Sequence, residues 1–256
     1  MKFSANLGFL WNDLALPEAI HAAHAAGFDA VELHWPYDVP AADVKAALEA
    51  TGLPVLGLNT RRGDVAGGEN GLSALPDRAD DARAAIDEAL AYARAIGASN
   101  LHVMAGFATG QVALDAFVDA LSYACKQAAL LGITILIEPL NSYDAPGYFL
   151  STTTQATQII AQVAMPNLKL MFDCYHVQLM EGDLTHKLQA LQPQIGHIQF
   201  ASVPDRGTPD HGEVNFDHVF GVIRDMGYDA PLGAEYKPQF PTDGTLEWLH
   251  RIKATR

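Results

Sequence analysis

Thiols are scarce in this chain: Cys125 and Cys174 are the two cysteines in 256 residues. That number excludes a disulfide framework or a thiolate metal cluster, and both cysteines read as small buried hydrophobes. Basic residues are also few, 16 against 30 acidic ones, for a net charge of −14. Nucleic acids and anionic membranes are recognised through basic patches, so neither is expected as a partner. No apolar run approaches the length of a membrane span. Ser4 and Asn6 interrupt the opening MKFSANLGFLW before a secretory apolar core forms. A soluble cytoplasmic protein is therefore expected. Linkers, low-complexity segments and the strand–GxGxxG–helix dinucleotide fingerprint are missing too.

Hydrophobic residues, by contrast, make up 49% of the chain and charged ones 18%, ample for one large domain over residues 1–256. Apolar runs at residues 3–7, 29–35, 53–59, 99–106, 133–138, 168–173, 195–200 and 232–236 read as strands. Helical stretches fall between them, at 17–26, 41–50, 77–96, 112–131, 152–163, 183–191, 216–226 and 244–252. The joints recur as AAGFDAVEL, ATGLPVLGL, AIGASNLHV and LLGITILIE, in each of which a glycine closes a helix just before a strand. Alternation of this kind makes a parallel sheet in an α/β protein, and eight units of it predict a closed (β/α)8 TIM barrel. An open doubly wound sheet is the alternative, and it lacks its usual fingerprint here.

A barrel of this type carries its active site at the C-terminal ends of the strands. ITILIEPLN delivers Glu138 just before Pro139, and LKLMFD ends on Asp173. IGHIQF carries Gln199 near its end, and PLGAEYKP carries Glu235. Three carboxylates and an amide oxygen suit a hard divalent cation, Mg²⁺ or Mn²⁺. Without a cation, like charges would force at least one carboxyl to keep a proton. Any one of these side chains could instead cap a helix or pair with Arg206 or Lys237, but four on successive strands favour a site.

Side-chain alternation places Leu136 and Thr134 on the face of Glu138, and Gly233 beneath Glu235, where it leaves room. Lys169 shares the face of Asp173 and must reach water at the barrel's bottom. His176 is expected just outside the mouth. His197, one layer below Gln199, is expected to orient it. Arg206 and Lys237 are the candidates to hold an anionic group. Glu32 and Asn6 read as structural; Phe9, Trp11 and Trp35 are candidates for a wall of the mouth, although plain packing is the commoner role of aromatics at such positions. The Gly-rich loop at 63–71 is long enough to cover something.

The segments IEPLN, FDCYHVQLMEGDLT, IGHIQFA, RGTPDHGEVNF and GAEYKP resemble the hydroxypyruvate isomerase family within the xylose-isomerase-like barrels, and the similarity runs nearly end to end. The resemblance implies a metal site at Glu138, Asp173, Gln199 and Glu235, with Glu138 and Glu235 as the proton-transferring pair. It implies substrate contacts at His176 and Arg206. Sugar 3-epimerases of the same superfamily carry His where Gln199 stands. The implied reaction interconverts hydroxypyruvate and 2-hydroxy-3-oxopropanoate through an enediolate. Isomerisation of 2-oxotetronate, or ketose 3-epimerisation, is the alternative. The implied partner is a small hydroxy-keto acid, and a homo-oligomer is compatible with this reading. LNTRRGD departs from the family's usual ending of the third strand, at Asn59 and Arg61. A DNA-directed nuclease should show a His-rich mouth and a basic groove. A silent binding barrel should have lost ligand positions.

Overall fold

None of the strands here can bury both of its faces alone, and each is satisfied by a neighbour on either side and a helix outside. The computed structural model describes residues 1–254. Its strands are β1 (Phe3–Asn6), β2 (Ala30–Glu32), β3 (Gly57–Asn59), β4 (Asn100–His102), β5 (Thr134–Ile137), β6 (Leu168–Asp173), β7 (Ile195–Phe200) and β8 (Leu232–Ala234). Seven parallel pairings link them in the order β2-β1-β8-β7-β6-β5-β4-β3. The ring closes between β2 and the run into β3. There Val31 N–H donates to Pro54 O (3.0 Å), Leu56 N–H to Val31 O (2.8 Å) and Leu33 N–H to Gly57 O (2.9 Å). That closure rules out the open sheet.

Outside the ring run α1 (Leu16–Ala25), α2 (Ala41–Thr51), α3 (Ala79–Ile96), α4 (Gly110–Ala129), α5 (Thr153–Val163), α6 (Cys174–Met180), α7 (Leu184–Leu191), α8 (Phe216–Asp225) and α9 (Glu247–Ala254). In α3 the buried residues Ala82, Ala85, Ile86, Ala89, Leu90, Ala93 and Ile96 follow the three-to-four spacing of a single helical stripe. Gly52 and Gly97 end α2 and α3 in the left-handed region, at φ 71° and 76°, where a Cβ would be strained. Where the last units meet the first strand, Phe3 contacts Phe200, Phe220 and Trp248 edge to face with centroids 5.2 to 5.8 Å apart. This aromatic cluster fixes α8 and α9 against β1 and β7.

Helix α6 was not expected. It begins directly at the end of β6, because Asp173, the last residue of the ladder, caps it: its Oδ1 accepts from Tyr175 N–H at 2.9 Å. The strands β2, β4 and β8 stop short of their expected ends as the chain leaves the ladder at the mouth, whereas β3 begins later than expected, the run before it touching β2 through one isolated bridge at Val55.

Inside the barrel, space is set by glycines. A Cβ on Gly233 would lie 2.6 Å from Glu32 Oε1 and 2.7 Å from Gln199 Cγ. The room predicted beneath Glu235 is thus filled by Glu32. The register of β6 against β7 slips by one residue at Leu170/Met171, bringing Gly196 to the interior beside Lys169 and Leu136. Lys169 Nζ donates to Pro193 O at 3.0 Å, at the end of the barrel opposite the site. Among the described residues no helix is long and apolar enough to cross a membrane.

Candidate active site

The strand ends bring Glu138, Asp173 and Glu235 together as expected, and His176 joins them inside the cluster rather than outside the mouth. One ligand atom from each of these four buried residues lies within 4.8 Å of every other. Glu235 is held on both oxygens. Its Oε1 accepts from Asn6 Nδ2 (2.9 Å) and lies 3.0 Å from His34 Nε2, and its Oε2 accepts from Arg206 Nη2 (2.5 Å). Gln199 donates Nε2 to Glu32 Oε2 (2.8 Å), which fixes the amide. His197 lies 3.0 Å from the same Glu32 oxygen, so it reaches Gln199 through Glu32. The Ser4 hydroxyl donates to the other Glu32 oxygen.

Three buried oxygens of this set have no hydrogen-bond partner: Glu138 Oε1, Asp173 Oδ2 and Gln199 Oε1. Each such group costs about 1–3 kcal/mol if left unsatisfied. Two carboxylates, an amide oxygen and the adjoining Glu235 make an oxygen-rich donor set, so the residues present fit a hard divalent cation.

Electrostatics splits the two glutamates. Burial, then the charges of Glu235 and Asp173, raises Glu138 well above the usual carboxylate range. Burial would raise Glu235 too, but Arg206 and His34 outweigh it and hold Glu235 well below that range. Asp173 is pushed up to about 7, by burial and then by Glu235. Burial lowers His176 to about 3, so its ring is neutral near pH 7. Its Nδ1 accepts from Asn141 N–H at 3.0 Å, which leaves the proton on Nε2. That Nε2 lies 3.6 Å from Asp173 Oδ2 and 3.8 Å from Glu138 Oε1.

Arg206 enters the site with its guanidinium already engaged. Besides Glu235 it faces Asp144 (3.4 Å) and Asp173 (3.8 Å), and it lies between the rings of Phe9 (4.8 Å) and Tyr175 (4.9 Å). These carboxylates raise its pKa although burial opposes them. Lys237 is exposed at the rim of a cavity of about 350 Å³ above the cluster. Phe9 and Trp35 line that cavity, as does Asn59. Trp11 does not; it packs on Phe28 and donates Nε1 to Asp243 at 2.9 Å. Arg61 points away and forks onto Glu88 at 2.6 and 3.1 Å. Of the loop at 63–71, Asn70 reaches the cavity wall.

His34, His102, Asp144, Tyr175 and Arg62 are site residues that the sequence reading missed. His34 continues the alternation of Glu32 one step past β2, and that step was its signal. His102 ends β4 with neither ring nitrogen hydrogen-bonded, its Nδ1 3.6 Å from Glu138 Oε2, and burial lowers it to about 3.

Residues 20–252 match the xylose isomerase-like TIM barrel family. Over 97% of each chain the sequence is 43% identical to the 2-oxo-tetronate isomerase of Cupriavidus necator. It is 37% identical to the hydroxypyruvate isomerase of Escherichia coli, over 97% of this chain and 98% of that one. The chain belongs to the hydroxypyruvate isomerase family of xylose isomerase-like TIM barrels. It is thus an enzyme of isomerase type acting on a sugar acid. The crystal structure of an AP endonuclease family 2 protein from Brucella melitensis superposes with a TM-score of 0.94, at 36% identity over 98% of each chain. A 3-keto-D-glucoside 4-epimerase from E. coli shares the fold (TM-score 0.82, 21% identity, 99% of each chain).

Proposed function

We propose that this family member moves a carbonyl group between C2 and C3 of a 3-hydroxy-2-oxo acid, interconverting hydroxypyruvate and 2-hydroxy-3-oxopropanoate. The observation that carries this reading is the opposed electrostatics of Glu138 and Glu235 across one buried cluster. Two carboxyl groups whose environments drive their protonation apart are matched to acid and base roles.

Starting from hydroxypyruvate, Glu235 is the base. Arg206, His34 and Asn6 keep its carboxylate ionised and fixed while it takes a proton from C3. Glu138 retains a proton in its buried position and gives it to C2. The hydroxyl proton of C3 ends on the oxygen at C2, so the enediolate between the two states collapses to the aldehyde. In the reverse direction the two glutamates exchange roles. A divalent cation held by Glu138, Asp173, Gln199 and Glu235, Mg²⁺ or Mn²⁺, would supply Lewis-acid polarisation of the substrate oxygens. His176 presents Nε2–H to the same space as a hydrogen-bond donor. Phe9, Trp35 and the loop at 63–71 limit water around the reacting carbons, and Lys237 adds positive potential at the rim.

A second reading, 2-oxotetronate as substrate, is supported by the 43% identity to the 2-oxo-tetronate isomerase. A cavity of about 350 Å³ has room for either acid. A DNA-directed reaction is not supported by a net charge of −14. The test is to incubate Mn²⁺-loaded protein with each acid and follow the aldehyde or 3-oxo product by NMR. Conversion of either acid, abolished by chelation, supports the reading; no conversion of either refutes it.

A further inference from the structure

The cavity wall contains a second guanidinium that the reaction has not used. The guanidinium carbon of Arg62 sits over Trp35, 3.9 Å from its ring centroid. Trp35 is itself fixed, because its Nε1 donates to Thr60 O at 3.1 Å. The backbone of Arg62 is fixed as well: its carbonyl accepts from Gly71 N–H at 2.8 Å, closing the base of the loop. Both Arg62 and Trp35 line the cavity above the carboxylate cluster.

Among the described residues, Arg62 faces no carboxylate. It takes part in no ion pair, and burial alone pulls its pKa down with no acidic neighbour to offset it. Arg206 is the opposite case, spent on Glu235, Asp173 and Asp144. The other cation of the wall, Lys237, is an exposed point charge on a long stem. A carboxylate is recognised best by a planar fork whose orientation is already set, and stacking on an indole sets it.

We propose that Arg62, held against Trp35, is the anchor for the substrate's carboxylate. The anchor deepens the keto-acid reading given above and rests on it. The acid group would point toward the loop at 63–71, leaving C2 and C3 toward Glu138 and Glu235. Arg206 would then remain with Glu235 throughout the reaction.

The test uses the metal-loaded, full-length protein and its Arg62→Gln, Arg62→Lys and Lys237→Gln variants. Hydroxypyruvate is both the substrate and the titrant, with binding followed by calorimetry and by tryptophan fluorescence. Arg62→Gln should raise KM and the dissociation constant about 10- to 100-fold, with kcat changed less than about threefold and the melting temperature retained. Arg62→Lys should recover part of the affinity, and Lys237→Gln should cost less than Arg62→Gln. Unchanged affinity in Arg62→Gln overturns the anchor, as does a larger loss in Lys237→Gln. If the unmodified enzyme binds hydroxypyruvate through Arg62 but turns over no keto acid, the anchor stands and the proposed reaction falls. If it binds no keto acid at all, the anchor falls as well.

Discussion

Glu235 is the most firmly held carboxylate of the site, with Asn6, His34 and Arg206 each within 3.0 Å of one of its oxygens. Three donors on one buried carboxylate favour its ionised form, and that is what suits it to take a proton from carbon. Replacing Glu235 or Glu138 by Gln keeps the volume and removes the proton acceptor. Each change is predicted to lower kcat by about 10²- to 10⁴-fold, measured under saturating substrate. Gly233 tests the support beneath. Its Ala variant would bring a methyl group within 2.7 Å of both Glu32 and Gln199. Thermal melting should show a loss of about 1–3 kcal/mol, and Mn²⁺ affinity should fall as the Gln199 amide is displaced.

At the scale of elements, the strands with strong apolar runs were legible and their margins were not. β6 and β7 fall where their sequences place them, because LKLMFD and IGHIQF are bounded sharply by loop residues on one side and a chemical residue on the other. Helix α6 was hidden. Seven residues carry little periodicity, and its cap is Asp173, a residue whose pattern had already assigned it to a strand end. Asp173 does both, with Oδ1 on the helix and Oδ2 facing the site. Trp11 takes the packing role and Phe9 and Trp35 the wall, a division the sequence does not show because an aromatic residue near a mouth looks the same whether it lines a cavity or packs on Phe28. Arg62 was passed over because nothing in RRGD distinguishes an arginine stacked on Trp35 from one paired with Glu88. The loop at 63–71 is fixed by a backbone contact: a Cβ on Gly71, at φ 116°, would lie 2.7 Å from Gly106 N. Gly71→Ala is predicted to cost about 2 kcal/mol or more, seen as a drop of roughly 5 °C or more in Tm. Its KM should rise as well, since Arg62 and Asn70 stand at the two ends of that loop.

On the scale of the whole molecule, the barrel concentrates acidic groups at one end and keeps them from water, so cation binding and proton release are linked. Asp173 has its pKa raised from 3.8 to about 7, and Glu138 is raised too. A carboxyl that is raised in the folded, metal-free protein stabilises it at low pH, and that contribution is lost as pH rises through about 7. A cation must displace the Asp173 proton, while Glu138 keeps the one it delivers to C2, so cation affinity runs the other way and tightens as pH rises toward 7. Calorimetric titration of Mn²⁺ between pH 5.5 and 7 (on the order of one to two pH units of range) should show affinity increasing about tenfold per unit for each proton displaced. The heat should depend on the buffer's ionisation enthalpy. Affinity independent of pH would contradict the proton coupling. Chelation of the cation should lower Tm, because three buried oxygens then lack a partner.

The central claim, proton transfer between Glu138 and Glu235 at a carbon next to a carbonyl, is tested most directly by deuterium exchange. Metal-loaded enzyme is mixed with hydroxypyruvate in D₂O and the carbon-bound protons are followed by NMR, with Glu138→Gln, Glu235→Gln and chelated protein alongside. The account predicts that deuterium enters at C2 of the aldehyde as it forms, and at C3 of the remaining hydroxypyruvate as the enediolate is reprotonated there. Glu235→Gln should lose exchange at C3, whereas Glu138→Gln should lose the aldehyde. Deuterium entering at the same rate in the Glu235→Gln variant would contradict the account, as would aldehyde formation without any exchange-competent glutamate.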